Sequence, residues 1–67
     1  MGIFVNDKAW NLKKAKECYE WEAWHQKRAN EALRQGNMSA AKDHTYRAKS
    51  YRKDGDNYVY VAKKCTK

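Results

Sequence analysis

Glycine and proline placement constrains this chain more than any other feature. Proline is absent from its 67 residues, and the only glycines are Gly2, Gly36 and Gly55. Residues 7–35 therefore run without a helix breaker, and they are rich in Ala, Lys, Glu, Leu, Arg and Gln, all strong helix formers. Asn6 or Asp7 suits the N-cap, where a side-chain oxygen accepts from a free first-turn amide. Gly36 suits the C-terminal stop, and Arg34 just before it complements the negative end of the helix dipole. A second helix is expected at about 39–53, capped by Asn37 or Ser39 and ended by Gly55 behind Arg52 and Lys53. The link Gln35-Gly36-Asn37-Met38 is short enough to force the two helices side by side. The expected fold is mainly α, an antiparallel helical hairpin of about 7–35 and 39–53 in a single small domain, 1–67.

At about 1.5 Å per residue the first helix spans roughly 43 Å and the second roughly 22 Å. The shorter helix leaves the N-terminal half of the longer one uncovered, so residues 56–67 are expected to fill the gap. Tyr58-Val59-Tyr60-Val61 is aromatic and β-branched, which favours a strand pairing with residues 3–5, Ile3-Phe4-Val5. The alternative is a third short helix capped by Asp56, with Tyr58, Val61, Ala62 and Cys65 on one face. Gln35-Gly36-Asn37 followed by Ala41 and Ala48 resembles the turn and small-residue positions of one tetratricopeptide hairpin. The chain departs from that pattern at Thr45, where an aromatic belongs, has no closing proline and carries no second copy.

A chain of 7.9 kDa buries only about 60% of its unfolded surface, which leaves little room for a spacious catalytic pocket. Mean hydropathy is −1.20, and no segment approaches the roughly 20 apolar residues of a membrane span. The N-terminus has neither a basic region nor a long apolar stretch, so a cytoplasmic location is expected. Cys18 and Cys65 are then thiols, with a disulfide from the tail to the first helix as the alternative.

Helical periodicity divides the first helix into two apolar flanks. Leu12, Ala15, Tyr19, Ala23 and Leu33 form one, and Trp10, Trp21 and Trp24 the other, with Cys18, Ala29 and Ala32 between. The second helix offers a thin stripe of Met38, Ala41, Thr45, Ala48 and Tyr51, too narrow to cover both flanks. Either the indoles are core, sealed by Ile3, Phe4, Val59 and Val61, or some remain exposed as anchors for a partner. Trp10, farthest from the hairpin turn, is the expected leading anchor.

Net charge is +7, and the excess lies in the second half of the chain. Lys42, Tyr46, Lys49 and Lys53 follow i, i+4, i+7, i+11 and make a basic ridge, which Tyr58, Tyr60, Lys63 and Lys64 extend into the tail. Lysines neutralise phosphates and tyrosines stack on bases, but no arginine pair is placed to read base edges.

Metal-ligand spacing is missing, because Cys18 and His25 lie about 10.5 Å apart along a helix and no Cys-x-x-Cys or His-x-x-x-His occurs. No cofactor is implied. Cys18 with His25 is the one candidate nucleophile and base, and the same distance weakens it, so no enzyme is expected. His25 is expected at the helix–helix interface and His44 facing the first helix, partly exposed. The expected function is a small regulator or inhibitor, of the size that phages and mobile elements often encode as accessory proteins. It would occlude a larger protein through Trp10, Trp21 and Trp24, with lysines steering it to an acidic surface. The alternative is DNA or RNA binding of low sequence specificity by the ridge. A homodimer through the indole face is a third option.

Overall fold

The computed structural model describes residues 5–67, which form two helices: α1 (Lys8–Arg34) and α2 (Met38–Lys64). They pack against each other as an antiparallel hairpin, as expected from the glycine pattern. Asp7 is the N-cap of α1, its carboxylate accepting from the Trp10 amide at 3.0 Å. The turn is a Schellman stop: the Asn37 amide donates to Ala32 O and the Gly36 amide to Leu33 O. Gly36 sits at φ 75°, the left-handed conformation that makes glycine the residue of choice there. Asn37 then caps α2, its side-chain oxygen accepting from the Ala40 amide.

The second helix does not end at Gly55. It continues for nine more residues to Lys64, so α1 and α2 are equal in length at 27 residues. Asp56 therefore caps no third helix, and Tyr58-Val59-Tyr60-Val61 is helical rather than a strand. No strand occurs among the described residues. Of the proposed strand partners, Ile3 and Phe4 lie outside the described residues, while Val5 is irregular and half-buried. Each helix is nearly as long as a whole tetratricopeptide unit of about 34 residues, so the resemblance at the turn does not extend to the helices.

The reason lies in the seam. On α1 the inward positions are Asn11, Ala15, Cys18, Glu22, His25, Ala29 and Ala32, spaced alternately four and three apart. On α2 and its C-cap residue they are Ala41, His44, Ala48, Tyr51, Gly55, Tyr58, Ala62 and Cys65, spaced three and four. This is the pattern of an antiparallel coiled coil, with a small residue at every seventh position of α2. Gly55 belongs to that series. A Cβ at Gly55 would meet Tyr19 Cε1 at 2.7 Å, so the Tyr19 ring occupies the space a side chain would take. Tyr19 then donates from its hydroxyl to Asp56 Oδ1 at 2.6 Å. Continuation through glycine costs about 1 kcal/mol of helix propensity, which this packing offsets.

A polar latch closes the open end of the hairpin. Asn11, 2% exposed, donates from Nδ2 to Val5 O at 2.7 Å and to Asp7 O at 2.8 Å. Asn6 and Thr66 exchange two bonds: Asn6 Nδ2 donates to Thr66 Oγ1, and the Thr66 amide donates to Asn6 Oδ1. The Lys8 amide donates to Lys67 O. Cys65 contributes its thiol to Val61 O within this cluster, and both Cys18 and Cys65 are free.

Candidate functional site

The three tryptophans lie on one side of the seam, in the α1 row that also holds Lys14, Glu17 and Arg28. None is sealed: Trp10 is 39% exposed, Trp21 51% and Trp24 42%. They form two clusters. At the open end Trp10 meets the edge of Tyr58, with centroids 6.1 Å apart and planes at 74°, and Lys14 Nζ lies 5.5 Å over the indole. Nearer the turn, Trp21 stacks on Tyr51 at 6.1 Å and meets Trp24 edge-on at 5.8 Å. The Arg28 guanidinium covers Trp24 at 5.0 Å. Lys14 and Glu17, paired at 3.5 Å, separate the two clusters.

The longer α2 explains why Trp10 is the least exposed indole. Its extra turns carry Tyr58 across to α1, where it covers Trp10. Trp21 and Trp24, which with Glu20 line a shallow depression, hold the larger open indole surface. The side chains beneath them are well held, because their aromatic neighbours come from both helices.

Below this cluster lies a histidine pair. His25 Nδ1 and His44 Nδ1 are 2.9 Å apart and their ring centroids 5.2 Å. The centroid separation exceeds the nitrogen separation by the two ring radii, so each nitrogen points straight at the other. One Nδ1–H thus donates to the other bare Nδ1, and the lone pairs do not converge on a point where an ion could sit. His25 is buried and His44 half-exposed, as the helical pattern suggested. Burial holds the His25 pKa below its ordinary value. His44 and Arg47 act in the same direction and Asp43 opposes them. Trp24 meets His25 edge-on at 4.9 Å and Tyr51 stacks on it at 5.5 Å, so the pair forms the floor of the aromatic face.

Cys18, the other half of the candidate nucleophilic pair, has its thiol pKa pushed up by burial and then by Asp54 and Glu17. That suppresses the thiolate such chemistry requires.

The basic ridge occupies the outward side of α2. Lys42, Tyr46, Lys49 and Lys53 are all exposed, and the uninterrupted helix brings Tyr60 and Lys64 onto the same side. Lys64 Nζ lies 4.8 Å over the Tyr60 ring, with Lys63 exposed beside it. Tyr58 leaves the ridge for the aromatic face. The ion pairs among the described residues engage Lys14, Arg28, Arg47 and Arg52, and none of the five ridge lysines. Sequence reasoning missed the histidine pair and the terminal latch. The three-and-four spacing of small and polar residues across both helices was the available signal for the first.

No known protein family, curated protein or solved structure matches the chain. No helix among the described residues is long and apolar enough to cross a membrane.

Proposed function

We propose that this chain is a small, non-enzymatic regulatory protein that binds and occludes a larger protein through its aromatic face. The observation that carries this reading is the presence of three half-exposed indoles on one side of a two-helix scaffold. Tryptophan is enriched at interface hot spots because it covers much area with few rotors to freeze. Here the freezing is largely complete before binding, since Tyr51, Tyr58 and the histidine pair already hold the rings. Trp21 and Trp24 are the central anchors and Trp10 a lateral one. The lysines accelerate approach to an acidic partner rather than supply most of the affinity.

The test is affinity capture from host lysate with and without nuclease, using the native chain and Trp21→Ala and Trp24→Ala variants. A specific protein retained after nuclease treatment and lost with either variant supports the reading. Each substitution should cost about 2 kcal/mol or more of binding. Retention unaffected by either variant refutes it.

A second reading, binding of DNA or RNA with little sequence preference, is favoured by one observation. The continuous α2 aligns Lys42, Tyr46, Lys49, Lys53, Tyr60 and Lys64 on one side, and among the described residues no carboxylate is paired with these lysines. Under this reading, affinity falls steeply with salt, and Lys49→Glu together with Lys53→Glu abolishes binding. A protein partner would instead bind more slowly to that double variant while keeping most of its affinity.

A further inference from the structure

The hairpin is a single layer of helices, 48 × 20 × 12 Å, with two broad faces. Stable domains pair two layers around a core. The fully buried apolar side chains between these helices are all alanines: Ala15, Ala29, Ala32, Ala41, Ala48 and Ala62. So thin a seam leaves the larger apolar groups on the two outer faces. The indoles occupy one. On the other, Leu12, Tyr19, Gln26 and Leu33 recur every seventh residue along α1, and Met38, Thr45, Arg52 and Val59 do so along α2.

This second face is apolar at both ends and polar in its middle. Leu12 and Val59 line an open groove at the latched end, and Leu33 and Met38 are exposed at the turn end. Between them lie Gln26, Thr45 and the Arg52–Glu22 pair, with the small, exposed Ala23 near the midpoint of Leu12 and Leu33. A two-fold axis through Ala23 lays the Leu12/Val59 end of one molecule on the Leu33/Met38 end of another. The rim charges match as well. Glu20 lies three residues before Ala23 and Lys27 four after it, and neither forms an ion pair within the chain among the described residues. The same axis sets Glu20 of each copy beside Lys27 of the other. The broad side that carries these residues measures 48 by 20 Å, and a standard interface buries roughly 800 Å² per partner, so the pairing engages the full length of that side and not one end of it.

We propose that a second copy of this chain covers the Leu12/Val59 face. The product is an antiparallel four-helix bundle that carries its indoles outward. It stands independently of what the indoles bind, and it leaves two aromatic faces free on opposite sides of one particle.

Sedimentation equilibrium of the full chain at tens of micromolar should give twice the 7.9 kDa chain mass. Leu12→Glu with Val59→Glu should return it to monomer, whereas Trp21→Ala should leave it dimeric even if partner binding is lost. Cross-linking covers the case in which the charged variant fails to fold. In a chain with Cys18→Ser and Cys65→Ser, Ala23→Cys should give a disulfide-linked dimer on mild oxidation, and Trp24→Cys should not. A monomer for the native chain overturns the proposal. So does a dimer that cross-links through Trp24→Cys and not through Ala23→Cys, because the indole face would then be the interface.

Discussion

His25 and His44 share one hydrogen bond between nitrogens 2.9 Å apart, and that bond survives only while at least one of them is bare. A proton on each ring would set two N–H groups face to face. The His25 pKa lies below its ordinary 6.5 in the folded chain, so the unfolded chain binds more protons as pH falls through that value. The contribution is fully present above about pH 6.5 and is lost as pH drops towards the depressed folded value. Thermal melting should therefore occur at a lower temperature at about pH 5.5 than at about pH 7.5, and His25→Gln should flatten that difference. An unchanged pH slope in the variant would remove the pair as its cause.

Asn11 belongs to the same scale. Its amide satisfies two carbonyls, Val5 O and Asp7 O, from a fully buried position. Asn11→Ala should cost about 1–3 kcal/mol in denaturant unfolding. It should also speed hydrogen exchange at the Lys8 and Thr66 amides, whose bonds close the open end. Protection unaltered at those two amides would show that the latch stands without Asn11. The sequence did not single out Asn11, since its partners Val5 and Asp7 lie in the irregular segment before α1 and no helical periodicity points to them.

At the scale of elements, the instructive position is Gly55. Asp54-Gly55-Asp56-Asn57 has the composition of a turn, and local propensity points to a helix end there. The seven-residue series Ala41, Ala48, Gly55 and Ala62 carries the competing message, and the seam decides in its favour. Tyr19, 36 positions away in sequence, fills the place of the missing side chain. This coupling is measurable by a double-mutant cycle. Gly55→Ala should gain about 1 kcal/mol when Tyr19 is already Ala, from helix propensity alone. In the native background the new methyl displaces the Tyr19 ring and the gain should disappear. Equal effects in both backgrounds would mean that Tyr19 and Gly55 are not coupled. The caps and the Gly36 turn were legible because each depends on neighbours within a few residues.

For the whole molecule, one layer of helices has consequences that neither helix shows alone. Because the fully buried apolar side chains of the seam are all alanines, their burial contributes little at about 25 cal/mol per Å², and covering an outer face would add to the stability of the hairpin. If the Leu12/Val59 face is that face, the melting temperature should rise with protein concentration, as for any dimer in which association adds to folding. A melting temperature independent of concentration would show that each hairpin holds itself. The roles proposed for the three surfaces are separable by experiment. Indole substitutions, ridge charge reversals and Leu12/Val59 substitutions should each change one property: partner affinity, salt-dependent association and oligomeric mass.

The sequence by itself determined where each helix begins to within a residue or two, the stop at Gly36, the antiparallel pairing of the two helices and the division of α1 into two apolar flanks. Each of these rests on local propensity or on helical periodicity. Only the tertiary structure decided that α2 runs past Gly55, that Tyr58 covers Trp10, that two histidine nitrogens meet and that Asn6 clasps Thr66. The physical reason is separation along the chain. These contacts join residues 19 to 60 positions apart, and their free energy enters only when the two helices have chosen a common register.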